Sequence, residues 1–163
     1  MNSTPESQQP ELLDHAGVAF HPPLLLALVL VVGFVARWLV PLNFLPRSLS
    51  TFIGPVVTAV SFGWFLWAVY TMRTGGASIP TGKPTNVIVA RGPFRFSRNP
   101  IYLGMLFLQV GISIWANSLW FLGLAVVSAV LLWRGVISHE ERYLEYKFGA
   151  EYLSYKGRVR RWL

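Results

Sequence analysis

Nearly all the side chains in this sequence that could do chemistry fall into two short segments, 73–102 and 134–163. The first runs through Arg91-Gly92-Pro93-Phe94-Arg95-Phe96-Ser97-Arg98-Asn99-Pro100-Ile101-Tyr102, and its three arginines and two prolines lead straight into an uncharged stretch. Proline suits the first position of a helix, where a missing N–H costs nothing, so Pro100 marks a helix start and Asn99 its N-cap. A helix N-terminus with free N–H groups beside Arg98 makes an anion site. The same arginines equally suit lipid phosphate. The second segment opens with His139-Glu140-Glu141. Adjacent residues on a helix point about 100° apart, whereas Glu141 and Glu145, four apart, share a face. Carboxylates in this position either pair with neighbouring basic residues or hold a cationic ligand. The chain has no cysteine and only three histidines, His15, His21 and His139, so disulfides and thiolate chemistry are excluded and no metal site is expected.

The elements that must position these residues belong to a membrane. Composition is 53% hydrophobic and only 13% charged, against about a quarter charged in a soluble domain. Three uncharged runs stand out: Pro22–Ala36, Ser48–Met72 and Asn99–Trp133. A span needs about 20 apolar residues, so the first two supply one helix each. The third is too long for one and suits two short ones, with a tight turn at Trp115-Ala116-Asn117-Ser118. The expectation is an all-α integral membrane bundle of about four transmembrane helices, roughly 22–41, 49–72, 100–116 and 118–137, the last two a helical hairpin. Short C-terminal helices follow: His139 to Phe148, closed by Gly149, then a turn or helix bearing Tyr152 and Tyr155. Residues 1–20 read as a polar tail without the basic start of a cleavable signal. Gly75, Gly76, Pro80, Gly82 and Pro84 break regular structure, and Val87-Ile88-Val89 reads as a short extended piece.

The net charge of +7 lies beside the spans and not in a separate domain, which favours a lipid surface over nucleic acid. The loop 73–98 and the tail after 137 hold most of the positive charge, so the positive-inside rule places both, and the N-terminus, on the cytoplasmic side, at the plasma or inner membrane if the source is prokaryotic. Arg37 is expected to snorkel, Gln109 to make an interhelical hydrogen bond, and Arg134 either to snorkel or to meet an acceptor's anionic group.

Together, Gly92-Pro93-Phe94-Arg95, Arg98-Asn99-Pro100, Tyr102 and Gly104, then an uncharged hairpin, then Glu140-Glu141, Leu144, Phe148-Gly149, Tyr152, Tyr155 and Val159 form an ordered pattern. It resembles the isoprenylcysteine carboxyl methyltransferase family and the related phospholipid methyltransferases. The resemblance implies an integral-membrane methyltransferase using S-adenosylmethionine, with 21–163 as one domain and 75–163 as its cofactor-binding part. On that resemblance Arg98, Asn99, Pro100, Tyr102 and Gly104 form one wall of the cofactor pocket, Glu140 and Glu141 another, and Tyr152 and Tyr155 close it. Arg98, Glu141 and Arg134 are the candidates for the reacting centre. The implied acceptor is lipid-like, the reaction most like isoprenylcysteine carboxyl O-methylation. Phospholipid-amine N-methylation or thiol S-methylation, a sterol-type NADPH reductase, and a non-enzymatic lipid- or partner-binding role are the alternatives. The prenylcysteine enzymes typically carry Arg-His-Pro where this chain has Arg98-Asn99-Pro100, as the phospholipid enzymes do.

Overall fold

The computed structural model describes residues 17–77, 85 and 87–163. Most of the expected polar tail, and the breakers Pro80, Gly82 and Pro84, lie outside the described residues. Six α-helices follow in order: α1 (Pro22–Leu39), α2 (Arg47–Thr74), α3 (Pro100–Trp115), α4 (Leu119–Leu132), α5 (Ser138–Phe148) and α6 (Ala150–Arg158). Among the described residues there is no strand, so the extended piece expected at Val87–Val89 is an irregular segment whose Val89 packs on Gly75.

Prolines start α1 and α3, where the ring's fixed φ is already helical. A five-residue wide turn, Trp133–Ile137, joins α4 to α5, with the Ser138 N–H donating to the Trp133 carbonyl. The rod Leu119–Phe148 is therefore continuous over 30 residues, about 45 Å at 1.5 Å per residue. That exceeds an apolar slab of about 30 Å, so the polar α5 stands outside it. Large apolar side chains such as Leu28, Val31, Phe52, Val60 and Val126 face outward, the reverse of a soluble bundle and what a lipid solvent allows.

Small residues let the two central helices meet. On α2 the buried positions are Ser50, Gly54, Ser61, Ala68 and Thr71. A Cβ on Gly54 would lie 2.3 Å from the Trp115 Cα, and one on Gly111 would lie 2.8 Å from the Thr58 Cα. Within lipid no hydrophobic force drives helices together, so close backbone approach of this kind supplies the attraction. Phe121 of α4 packs edge-on against Phe34 of α1, with ring centroids 5.0 Å apart. Residues 18–20 return α1's start to the wide turn: the Ala19 N–H donates to the Gly135 carbonyl at 3.0 Å and Phe20 covers Gly135.

At the far end of the bundle the turn between α3 and α4 is a polar knot. Asn117 adopts φ 47°, a left-handed conformation that asparagine tolerates. Its Oδ1 accepts from the Phe44 and Leu45 N–H groups at 3.0 and 2.9 Å, and its Nδ2 donates to the Leu45 carbonyl at 2.8 Å. The Asn117 carbonyl accepts from Arg37 Nη1 at 3.2 Å. Arg37 thus ties the end of α1 to the α3–α4 turn, where simple snorkelling was expected. Replacing Asn117 with Ala removes three hydrogen bonds and strains the backbone, and should cost about 2 kcal/mol, read as a lowered thermal midpoint. Asn117→Gly, which keeps the backbone conformation, should recover part of the loss. Gln109 also departs from expectation: it is 1% exposed, yet its Oε1 has no hydrogen-bond partner, so that oxygen does not bridge helices.

Candidate cofactor site

The segment entering α3 is folded by its own prolines. Pro93 starts a single 3-10 turn, Gly92–Arg95, which buries Phe94 and lets the Ser97 N–H reach back to the Pro93 carbonyl at 3.2 Å. Trp64 of α2 fixes the start of α3 by donating from Nε1 to the Pro100 carbonyl at 3.0 Å.

The C-terminal segment then clasps this turn through its backbone. The Arg98 N–H donates to the Arg160 carbonyl at 2.9 Å, and Arg98 Nη1 to the Lys156 carbonyl at 3.1 Å. Ser97 Oγ and Asn99 Nδ2 both donate to the Arg161 carbonyl, at 3.2 and 3.1 Å. Asn99 therefore occupies the N-cap position, but its side chain does not cap: the tail's carbonyl takes the amide instead. From α6, the Tyr155 hydroxyl donates to the Phe94 carbonyl at 2.8 Å. Burial pushes that phenol up to about 12 and pushes Tyr152 higher still, with the Glu141 charge adding to the effect at Tyr152. Both stay protonated at neutral pH, and Tyr155 serves as a donor.

The two adjacent glutamates have different fates, as their angular separation requires. Glu141 is buried and fully paired. Its Oε1 forms an ion pair with Arg98 Nη2 at 3.0 Å and accepts from Arg161 Nε at 3.1 Å, and its Oε2 accepts from Arg161 Nη2 at 2.6 Å. The two-bond Arg161 fork is the strong form of such a contact. Arg161 also stacks over Trp133 at 5.7 Å. Glu140 has no cationic partner among the described residues; the Tyr102 hydroxyl donates to its Oε1 at 2.7 Å. Burial raises the Glu140 carboxyl to about 7, against the lowering effect of the Tyr102 bond, and the Glu141 charge raises it further. Glu145 pairs with Lys156, joining α5 to α6 across Gly149.

These groups surround a cavity of about 440 Å³. Arg98, Asn99, Pro100 and Tyr102 line it from the start of α3, Glu140 and Glu141 from α5, and Tyr152 and Tyr155 from α6. Its other side is apolar, with Leu26 of α1, Phe65, Val69 and Met72 of α2, and Met105 of α3. Two expected members are elsewhere. A Cβ on Gly104 would sit 3.0 Å from the Phe65 Cα, so this glycine serves the α2–α3 packing and not ligand approach. Arg134 is exposed on the wide turn and does not line the cavity. Arg98 is less available than expected, since Glu141 and the tail engage both terminal nitrogens, but its buried Nε has no partner. Sequence reasoning missed Arg161 and Lys156, which it took only as topology charge. The available signal was the need of a buried Glu141 for a cation.

Comparison with known proteins identifies the family and the fold. The family model for phospholipid methyltransferases matches residues 49–151, well over half of the chain. An uncharacterized protein of Haemophilus influenzae is 42% identical over 64 residues, which is 39% of this chain and 100% of that protein. The solved structure of a eukaryotic intramembrane Ras methyltransferase, an isoprenylcysteine carboxyl methyltransferase, superposes with a TM-score of 0.62 at 21% identity. That similarity covers 84% of this chain and 50% of the solved one, so the chain spans about half the length of that relative and shares its fold. With the family match running from α2 into α6 and taking in both the arginine turn and the glutamate pair, the chain belongs to the phospholipid methyltransferase family of multi-pass membrane methyltransferases.

Proposed function

We propose that the cavity binds S-adenosylmethionine and that the chain methylates a lipid-like acceptor at the cytoplasmic membrane face. One observation carries this: among the described residues Glu140 has no cationic partner and the buried Arg98 Nε has no hydrogen-bond partner, and both residues line the same cavity. An α-amino acid group brings one ammonium and one carboxylate, which that donor and acceptor match. S-adenosylmethionine, when bound, supplies an activated methyl group on a sulfonium. Glu140 accepts from the ammonium and Arg98 Nε donates to the carboxylate, while Tyr152 offers a ring face to the adenine or sulfonium. Glu141, held by two arginines, positions Arg98.

The apolar side of the cavity suits an acceptor chain arriving from the bilayer. With Glu140 engaged by the ammonium and Glu141 by arginines, no carboxylate of this site is left to remove a proton. A carboxylate acceptor needs no such base, so O-methylation of a lipid-linked acid, like isoprenylcysteine carboxyl methylation, is the reading the geometry favours. Catalysis then rests on positioning in a water-poor site. A methyl-labelling screen against membrane extracts tests it: a base-labile product supports an ester, and a base-stable product assigns N- or S-methylation instead.

The proposed role of Glu140 has a pH signature. A carboxyl with its midpoint near 7 is mostly neutral below that pH, and a neutral acid does not pair with an ammonium. Donor affinity should therefore rise through about pH 6 to 8 and then level off, and titration calorimetry would follow it. Glu140→Gln should bind at least tenfold more weakly and lose the pH dependence; wild-type affinity in that variant would remove Glu140 from the site.

A further inference from the structure

Every one of the seven carboxyl side chains in this chain lies before residue 15 or after residue 139. The described acids, all in α5 and α6, gather at the cofactor end of the bundle. A second, polar cleft of about 560 Å³ lies at the opposite end, between the end of α1, the start of α2 and the α3–α4 turn. The placement is unambiguous, because α1, α2 and α3 each touch the first cavity with one end and the cleft with the other: Pro22 and Arg37, Met72 and Arg47, Pro100 and Trp115.

Arg37 and Arg47 both line this cleft, together with Asn43. Arg37 uses one nitrogen on the Asn117 carbonyl, and neither the Arg47 guanidinium nor the Asn43 amide bonds to another described residue. The Asn117 knot fixes the loop that forms one wall, so the cleft is built in advance. Two guanidinium groups therefore share a cleft with no described carboxylate to offset them, an arrangement that suits an anion from outside the chain. Trp38, Trp115 and Trp120 are exposed at this same end, and tryptophan gathers at the headgroup level of a bilayer. An anion at that level is a lipid phosphate.

We propose that this cleft binds the phosphate of an anionic phospholipid in the leaflet opposite the methyl-transfer cavity. A headgroup that carries its own cation opposes the arginine pair, so phosphatidylglycerol should bind in preference to phosphatidylcholine. The bound lipid would neutralise the arginines and brace α1 against α2.

Thermal unfolding of the delipidated full chain in detergent tests this, with phosphatidylglycerol, phosphatidylcholine or inorganic phosphate added. Phosphatidylglycerol should raise the midpoint by several degrees and phosphatidylcholine by much less, while inorganic phosphate should leave it unmoved. The phosphatidylglycerol increment should vanish in Arg47→Gln and persist in Arg95→Gln, which alters an exposed arginine at the other end. Should Arg47→Gln not fold, Asn43→Ala reads the same increment, which should shrink. An undiminished increment in Arg47→Gln or Asn43→Ala, its loss in Arg95→Gln, or equal response to both lipids would overturn the proposal. A shift of equal size with inorganic phosphate would assign the cleft to a soluble anion and overturn the lipid.

Discussion

Glu141→Gln is expected to abolish measurable binding of S-adenosylmethionine and to lower the thermal midpoint of the ligand-free chain by roughly 10 °C. The side chain is 6% exposed, accepts two hydrogen bonds from Arg161 and forms a 3.0 Å ion pair with Arg98. Removing one partner of a buried ion pair costs about 3–5 kcal/mol, because the remaining charge stays buried, and about 2–4 °C accompanies each kcal/mol in a chain of this size. Here the residual charges are Arg98, itself 9% exposed at its side chain, and Arg161. Arg98 also carries the bonds to the Lys156 and Arg160 carbonyls, so its displacement opens the clasp and the cavity wall together. Arg161→Gln should be milder, since that side chain is 31% exposed and Arg98 still neutralises Glu141. If Glu141→Gln bound donor normally while Arg161→Gln did not, the tail would act on the cofactor directly and not through Glu141.

Gly54→Val should give no folded monodisperse protein on size-exclusion chromatography. Its Cβ would fall 2.3 Å from the Cα and 2.6 Å from the N of Trp115, backbone atoms that no rotamer change can move aside. Overpacking of side chains costs about 1–3 kcal/mol, and displaced backbone costs more. Trp115 enters the α3–α4 turn, so the displacement passes directly into the Asn117 knot and weakens a second set of contacts. Gly63→Val on the same helix is the control: a Cβ there meets nothing within 4 Å, and that variant should elute like the parent. Failure of both variants would point to insertion or helix propensity and not to the α2–α3 contact.

The sequence was most legible where its physics is local. Length and absence of charge located the spans and the hairpin turn, and Pro100 marked the start of α3 to the residue. The two chemical segments do meet in one cavity, but the manner of meeting is carried by backbone carbonyls at 156, 160 and 161. Carbonyls are common to all residues, so side-chain types say nothing of their use. Gly104 misled for a related reason: a missing Cβ marks a close approach without saying whether a ligand or a helix approaches. Asn99 misled because a side chain suited to capping also suits a tertiary acceptor that lies nearer. Nor does α4, apolar except for Ser128, carry a periodic polar stripe whose interruption would reveal the wide turn after Leu132.

That wide turn sets an angular phase between the two halves of one rod. The buried residues of α4, Phe121, Ala125, Ser128 and Leu132, trace a line that α-helical spacing would carry on to His139. The turn at Trp133–Ile137 closes five residues apart instead of four, and one surplus residue rotates all that follows by about 100°. The inward direction then falls on Glu140 and Glu141. Which side chain faces the cavity thus depends on the number of residues between Leu132 and Glu140.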